Sequence, residues 1–431
     1  MDAEAAIAWL YGRQELGIKL GLEKMERLLD ALGRPQDAFR SVHVAGTNGK
    51  GTVTTLLAEA LQRAGHQVGR TTSPHLIQFN ERIIVQGEPI ADADLVRHVA
   101  RIHDACEALD ADGQPPTFFE VVTALAFLHF AAQGVDWAVV ETGLGGRLDA
   151  TNVLQPDLTI ITNVGRDHVG MLGDTPEEIA FEKGGIMKPG VPCVTGARGG
   201  ALAVLKGLSH ERQVAMSILG EDYHVVPDVN GFRLSHPGGD AHFDLALAGA
   251  HQLDNAALVV AGADALRAAG HAIPLHAVAG ALANTTIPGR METLHLDGPN
   301  GIVDVLLDGA HNEDGAAALR AHLADLDWGG FDLIVGFQGD KDWPRILSAW
   351  QPLAARGWGV PLRSPRTLDP ARMREHFEFT PFQVTTDAGD AIERAVAAGA
   401  TRIVIAGSLW LVGEARAHLL QRPKEEIRGD Q

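Results

Sequence analysis

Val42-His43-Val44-Ala45-Gly46-Thr47-Asn48-Gly49-Lys50-Gly51-Thr52 is the stretch on which the fold turns. An apolar run enters a glycine-rich turn, and a lysine and a hydroxyl stand at the start of the next element. Beyond it, Val53, Leu56, Leu57, Ala60 and Leu61 recur at i, i+3, i+4, i+7 and i+8, one face of an amphipathic helix. Strand, glycine turn and helix form the setting of a phosphate-binding loop. Glycines let backbone N–H groups approach phosphate oxygens, the helix N-terminus adds positive potential, Lys50 supplies a point charge, and Thr52 can reach Mg²⁺. The match to G-x-x-x-x-G-K-[ST] is imperfect: Val44 stands where the first glycine belongs, and Gly51 separates Lys50 from Thr52. An ordinary tight turn would explain the glycines but not a lysine held between two of them.

A chain of 431 residues leaves room for two or three domains, each with a sizeable core. The formal charge of −19 argues against a nucleic-acid partner, which needs clustered Lys and Arg, although a loop such as 46–52 can hold one anionic nucleotide locally. The start Met1-Asp2-Ala3-Glu4 lacks a basic n-region and an apolar h-region, and no charge-free stretch is long enough to span a bilayer. No membrane partner is therefore expected. Cys106 and Cys193 lie far apart without metal-ligand spacing, so a reduced, cytoplasmic setting is expected.

Outward from the loop, residues 1–40 read as two helices, the second striped by Leu22, Met25, Leu28, Leu29 and Leu32, with the apolar turn Leu20-Gly21-Leu22 between them. Ser73-Pro74-His75 and Asn80-Glu81-Arg82 fall on loops and are open to two readings, a solvated polar turn or part of a site. Thr117-Phe118-Phe119-Glu120 opens a helix by a capping box, with Thr117 at the N-cap and Glu120 at N3. That role alone can explain Glu120, while two adjacent phenylalanines at a helix mouth can instead offer a flat ring a stacking surface. The strand 137–140 ends in Glu141-Thr142-Gly143-Leu144-Gly145-Gly146-Arg147-Leu148-Asp149-Ala150, and the strand 158–162 ends near Asp167-His168. Ligands of open α/β sheets sit beyond the carboxyl ends of strands, so Glu141, His168 and Thr52 would share one edge. Thr175-Pro176-Glu177-Glu178 caps a further helix carrying Lys183, and a helical lysine is ordinarily solvated. Residues 220–248 suggest a small antiparallel insert, followed by an alanine-rich helix after His251-Gln252 that carries Asn255.

The composition resets at Thr285-Thr286-Ile287-Pro288-Gly289-Arg290. The expected organisation is an α/β protein with a P-loop-type, mostly parallel sheet flanked by helices over 1–288, a hinge over 289–294, and a smaller Rossmann-like α/β unit over 295–431. Strands of the last unit are expected near 302–307, 331–336, 358–362, 381–385 and 402–406. The first ends in Asp308-Gly309-Ala310-His311-Asn312 and the second leads to Lys341.

Taken together, Gly46 to Thr52, Ser73-Pro74-His75-Leu76, Gly143 to Asn152, Asp167-His168, Glu182-Lys183, His251-Gln252, Pro288-Gly289-Arg290 and Asp308 to Asn312 resemble the folate branch of the Mur-ligase family, the dihydrofolate synthase/folylpolyglutamate synthase group. Gly51 after the lysine, odd in a general P-loop, is usual in that branch. The resemblance implies an ATP-dependent amide ligase that adds L-glutamate to dihydropteroate, to the γ-carboxylate of folates, or to both, through an acyl phosphate. A folate-only synthase and a sibling ligase acting on a cell-wall precursor are the alternatives. It further implies that Asn48, Gly49, Lys50, Gly51 and Thr52 hold the triphosphate, with Asn255, Arg290 and Asp308 on the nucleotide. Ser73, Glu141 and His168 would serve two Mg²⁺ ions, the second through a carbamylated Lys183, and a monovalent cation is a further candidate. Lys50, His168, Lys183, Arg290, Asp308 and His311 would carry catalysis, with Lys341 near the glutamate. Leu20, Gly21, Leu22, Phe118, Phe119, Glu120, Leu148, Asp149 and Ala150 would receive the pterin. A monomer is expected.

Overall fold

The computed structural model describes residues 1–17, 19–165, 169–339, 341–364, 366–377 and 380–421. Two sheets organise them. The first is built from β1 (Arg40–Ala45), β2 (Val68–Thr71), β3 (Ile83–Val85), β4 (Glu88–Pro89), β5 (Trp137–Glu141), β6 (Leu158–Ile161), β7 (Cys193–Thr195) and β8 (Met216–Ile218). Their order is β4-β3-β2-β5-β1-β6-β7-β8. Pairings from β2 across to β8 are parallel, and β3 and β4 extend one edge by antiparallel pairs.

β1 is central, and after Arg40 every one of its residues is buried. Val42 and Val44 share one face of the strand, and on the opposite face Ser41, His43 and Ala45 are buried as well, with His43 Nε2 2.7 Å from the Thr151 hydroxyl. One face packs against the helix Lys50–Arg63 and the alanine-rich helix His251–Ala268 through Val53, Leu56, Leu57, Ala256 and Val260. The sheet's other face, through Ala138 and Val140 of β5, packs against the helix Phe118–Gln133, itself covered by Ala3–Gly12, Glu23–Ala31 and Asp92–Ala111. The chain leaves β1 on one side for β2 and leaves β5 on the other for β6. A crevice therefore opens at the carboxyl ends of β1 and β5.

The antiparallel insert consists of β9 (His224–Asp228), β10 (Gly231–His236) and β11 (Gly239–Asp244), and Phe232, Leu234 and Phe243 join the core beneath it. The second sheet comprises β12 (Glu292–Gly298), β13 (Gly301–Leu307), β14 (Phe331–Val335), β15 (Ala354–Gly359), β16 (Phe382–Val384) and β17 (Arg402–Ala406), in the order β12-β13-β17-β14-β15-β16. It is parallel except for the β12–β13 hairpin. Two details differ from expectation. β12 begins at Glu292, inside the stretch read as a hinge, and β15 begins at Ala354, four residues before the strand expected at 358. Among the described residues, no helix is long and apolar enough to cross a membrane.

Candidate active site

The phosphate-type loop is shaped by contacts that only glycine tolerates. Gly46 (φ 154°) leaves β1 and Gly49 (φ 82°) caps the helix Lys50–Arg63. A Cβ on Gly46 would fall 1.8 Å from Thr162 Oγ1, and one on Gly49 would fall 2.2 Å from Asn255 Oδ1. Between them the Asn48 N–H donates to Asn163 Oδ1 (2.9 Å), and the Thr162 hydroxyl donates to the Asn48 carbonyl (2.6 Å). The loop is thus fixed to the end of β6 with its helix amides facing outward. Lys50 Nζ folds back on the carbonyls of Gly46 (3.1 Å) and Thr47 (3.2 Å).

Around this loop the two sheets turn their strand ends toward each other, and Asn312 Nδ2 donates to Asn48 Oδ1 across the gap (2.9 Å). The cleft so formed has a volume of about 340 Å³. Asn48, Gly49, Lys50, Gly51 and Thr52 line it from the loop, and Ser73 and Glu141 from the ends of β2 and β5. Asn255 lines it beside Gly49, and Arg290, Asp308 and His311 close the far side. Glu141 Oε2 accepts the Ser73 N–H (3.0 Å). Burial raises the Glu141 carboxyl above its ordinary range, against the opposing pull of Lys50, the Ser73 amide, Arg290 and Arg82. Asp308 is likewise raised by burial, although Arg290 and the N–H groups of Met291 and Ala310 favour its anion. Asn255 Nδ2 donates to Gln252 Oε1 (2.8 Å), and Asn255 turns its own Oδ1 toward Gly49. His311 Nδ1 lies 2.8 Å from the Gly309 carbonyl, an acceptor only, so the proton sits on Nδ1.

Burial decides two open readings. Lys183 is buried rather than solvated: its Nζ passes beneath the loop and donates to the Gly46 carbonyl at 2.8 Å. The 73–82 segment is not a solvated polar turn. Glu81 accepts from the amides of Leu76, Ile77 and Gln78, and Arg82, 3% exposed, donates from Nε to His75 Nδ1 (2.8 Å). Burial lowers the Arg82 pKa to about 10, and its Nη1 is buried without a hydrogen-bond partner. His168 lies outside the described residues, and Lys341 is not among those lining the cleft.

A second cavity, of about 290 Å³, adjoins the first, and Gly143 lines both. Leu20, Gly21, Phe118 and Phe119 line it with Glu120, Leu148, Asp149 and Ala150. Leu22 is not among the lining residues; it caps the helix Glu23–Ala31 instead. Phe118 stacks on Tyr11 (centroids 5.5 Å apart, 10° between planes), and the Phe119 ring sits where a side chain on Gly143 would go, 2.5 Å from its Cβ position. Asp149 spends its oxygens on the Leu144 and Thr151 amides (2.8 and 3.0 Å) and the Thr151 hydroxyl, and so holds the loop in shape.

The two oxygens of Glu120 differ in their surroundings. Its Oε2 completes the capping box with the Thr117 amide (2.6 Å) and hydroxyl (2.8 Å) and pairs with Lys24 (3.0 Å). Its Oε1 is buried with no partner. Lys24 and Arg366, which lines the second cavity, carry no mark in the sequence that would single them out. The partner of Lys24, Glu120, lies far along the chain, beyond the reach of any local spacing.

This geometry accompanies extensive similarity. The Mur ligase middle domain matches residues 44–263, and the Mur ligase glutamate ligase domain matches residues 289–409. A dihydrofolate synthase/folylpolyglutamate synthase of Bacillus subtilis is 36% identical over 96% of this chain and 98% of its own length. The crystal structure of a Mycobacterium tuberculosis folylpolyglutamate synthase complexed with ADP and AMPPCP superposes with a TM-score of 0.88 at 32% identity, covering 98% of this chain and 100% of that one. An Escherichia coli structure in complex with DHPP and ADP gives a TM-score of 0.87 at 27% identity, over 96% and 98% of the two chains.

Proposed function

The chain belongs to the Mur ligase family, in its dihydrofolate synthase/folylpolyglutamate synthase branch, and we propose that this ATP-dependent ligase joins L-glutamate both to dihydropteroate and to the γ-carboxylate of folates. The observation that carries this reading is the junction at Gly143 of two unlike cavities, one polar and built on a phosphate-type loop, the other walled by aromatic and aliphatic side chains with one buried acceptor. A substrate with a flat heterocycle at one end and a carboxylate at the other spans them.

In the apolar cavity, Phe119 and Leu148 would flank the pterin, and Glu120 Oε1 would accept from its ring N–H donors. The carboxylate would then enter the cleft past Gly143. A carboxylate does not acylate an amine directly, so its oxygen attacks the γ-phosphorus of ATP, the bond to ADP breaks, and an acyl phosphate forms. The α-amine of glutamate attacks the acyl carbon, phosphate leaves with the bonding pair, and the amine sheds a proton as the amide forms. Such phosphoryl chemistry depends on positioning and charge neutralisation more than on covalent help. Asn48 to Thr52 would hold the triphosphate by backbone amides, with Lys50 turning from its loop carbonyls to the phosphoryl oxygens. Asn255 would hold the nucleotide beside the loop, and Arg290 and Asp308 from the far side, so that bound ATP joins the lobes 1–288 and 295–431.

The donor set fits Mg²⁺. Thr52 and Ser73 would contribute hydroxyls and Glu141 a carboxylate, whose anion burial disfavours in the absence of a cation. Mg²⁺ held there supplies neutralisation of phosphoryl charge. Lys183 is the proposed carbamylation site for a second ion, with His168; modification would convert an ammonium, which repels the ion, into two anionic oxygens. His311 and Lys341 are assigned to phosphoryl and glutamate handling. The protein is expected to act as a monomer.

The test is ADP release by purified protein supplied with MgATP, glutamate and either dihydropteroate or tetrahydrofolate. Release that requires both the acid and glutamate supports the proposal. Release indifferent to both removes it.

A further inference from the structure

Among the described residues lining the apolar cavity, Arg366 alone comes from the unit built on the second sheet; the others belong to the N-terminal segment, the start of the helix Phe118–Gln133 and the loop after β5. Its backbone is held in place. The Arg366 carbonyl accepts from the Gly339 N–H (2.8 Å), and its own N–H donates to Ser364 Oγ (3.2 Å). The neighbouring Leu368 N–H donates to the Phe337 carbonyl (2.9 Å), and Thr367 Oγ1 accepts from the Leu362 N–H (2.8 Å). The segment is therefore tied to the loop after β14, and Arg366, an exposed residue, lines a cavity otherwise formed by the other lobe.

The two classes of acid that the ligase reading admits differ at this place. Dihydropteroate carries one carboxylate, and that group is the one consumed. A glutamylated pteroyl acid carries in addition an α-carboxylate, which does not react and stays ionised beside the reacting γ-carboxyl. In a chain of net charge −19, that second anion is repelled unless a local cation meets it. Among the described residues, the cations lining this cavity are Lys19 and Arg366. Of these, only a guanidinium offers the planar fork that pairs with a carboxylate through two hydrogen bonds.

We propose that Arg366 is a specificity-determining residue: it pairs with the unreacted α-carboxylate of a glutamylated pteroyl substrate and so favours chain extension over the first addition. This rests on the ligase reading above. It also makes selectivity depend on the second lobe closing over the cavity.

The experiment compares kcat/KM for tetrahydrofolate and for dihydropteroate in the wild type, Arg366→Gln, Arg366→Lys and Lys19→Gln, at low and high salt. For Arg366→Gln the tetrahydrofolate-to-dihydropteroate ratio should fall about tenfold, the scale of one charge-assisted bidentate contact discounted for exposure, and the loss should appear in KM for tetrahydrofolate. Arg366→Lys should keep part of the preference, Lys19→Gln should move the ratio less than about twofold, and high salt should narrow the gap between wild type and Arg366→Gln. An unchanged ratio in Arg366→Gln overturns the proposal, whether both activities persist or fall together. An equal fall of the ratio in Lys19→Gln also overturns it, in favour of unspecific attraction of anions. If the wild type uses neither acid, the ligase reading itself fails, an outcome visible before any variant is compared.

Discussion

Replacing Glu120 by glutamine separates two jobs that one side chain performs. Oε2 closes the capping box and meets Lys24, while Oε1 is buried and unpaired, in a residue that lines the apolar cavity and is only 3% exposed. Glutamine preserves the shape and one oxygen. If that oxygen stays with the cap, the amide NH₂ is turned toward the cavity, and a donor then confronts the N–H donors of the pterin. A hydrogen bond to a charged acceptor contributes about 1.5–3 kcal/mol, so KM for the pteroyl acid should rise roughly 10- to 100-fold. The cap loses the Lys24 pairing and part of its charge, which should cost about 0.5–2 kcal/mol and a few degrees of melting temperature. The assay is steady-state ADP release with the acid varied at saturating MgATP and glutamate, beside a thermal melt. KM for ATP, which the phosphate-type loop is proposed to hold in the other cavity, should move less than about twofold. A lower melting temperature with an unchanged KM for the acid would refute the reasoning and reduce Glu120 to a structural cap.

Other perturbations probe the same geometry. Lys50→Ala removes the cation proposed to meet the phosphoryl group and should lower kcat by at least about 100-fold, as read from ADP release; an unchanged kcat contradicts that role. Gly49→Ala drives a Cβ to 2.2 Å from Asn255 Oδ1 at φ 82°, so nucleotide affinity measured by calorimetry should fall more than about tenfold. Lys183→Ala should be severely impaired and partly rescued by a short carboxylic acid; a fully active variant rules out a metal-bridging carbamate. His98 and His129 face each other at 5.6 Å, with His98 Nε2 and His129 Nδ1 unpaired, and burial lowers both, His98 to about 4. Because the unfolded chain takes up these protons near the ordinary 6.5, the stability they contribute is whole above that pH and is lost as pH falls toward about 4. Urea unfolding of His98→Leu should show a shallower acid-side loss than the wild type, and identical slopes would contradict the assignment.

Much of the first sheet was legible because its signals are local. The run into Gly46, the lysine between two glycines and the helical spacing after Thr52 each reflect geometry settled within a few residues. The capping boxes at Thr117 and Thr175 are likewise self-contained. The features that escaped depend on distant chain. β12 reads Glu-Thr-Leu-His-Leu-Asp-Gly, an edge strand half in solvent whose charges hide its alternation, although the Pro299-Asn300-Gly301 turn was available to suggest a hairpin. β15 begins in Ala-Ala-Arg-Gly, weak strand formers held by pairing with β14 and β16. Lys183 and Arg82 are burials of charge, and burial comes from what folds over a residue. Nothing near Lys183 announces that Gly46 will accept from it, and Arg82 is enclosed by elements that begin more than thirty residues away as well as by its own loop. The site was recognisable as a set of motifs in order, whereas the junction at Gly143 and the reach of Arg366 into the first lobe required the fold.

The central claim is that the carboxyl group is activated by ATP inside this cleft. The most direct measurement supplies a pteroyl acid with ¹⁸O in its reacting carboxylate, together with MgATP and glutamate, and weighs the phosphate released. An acyl phosphate carries one labelled oxygen from the acid into inorganic phosphate, so phosphate heavier by one ¹⁸O per turnover is the expected result. Amide product formed with unlabelled phosphate would contradict it.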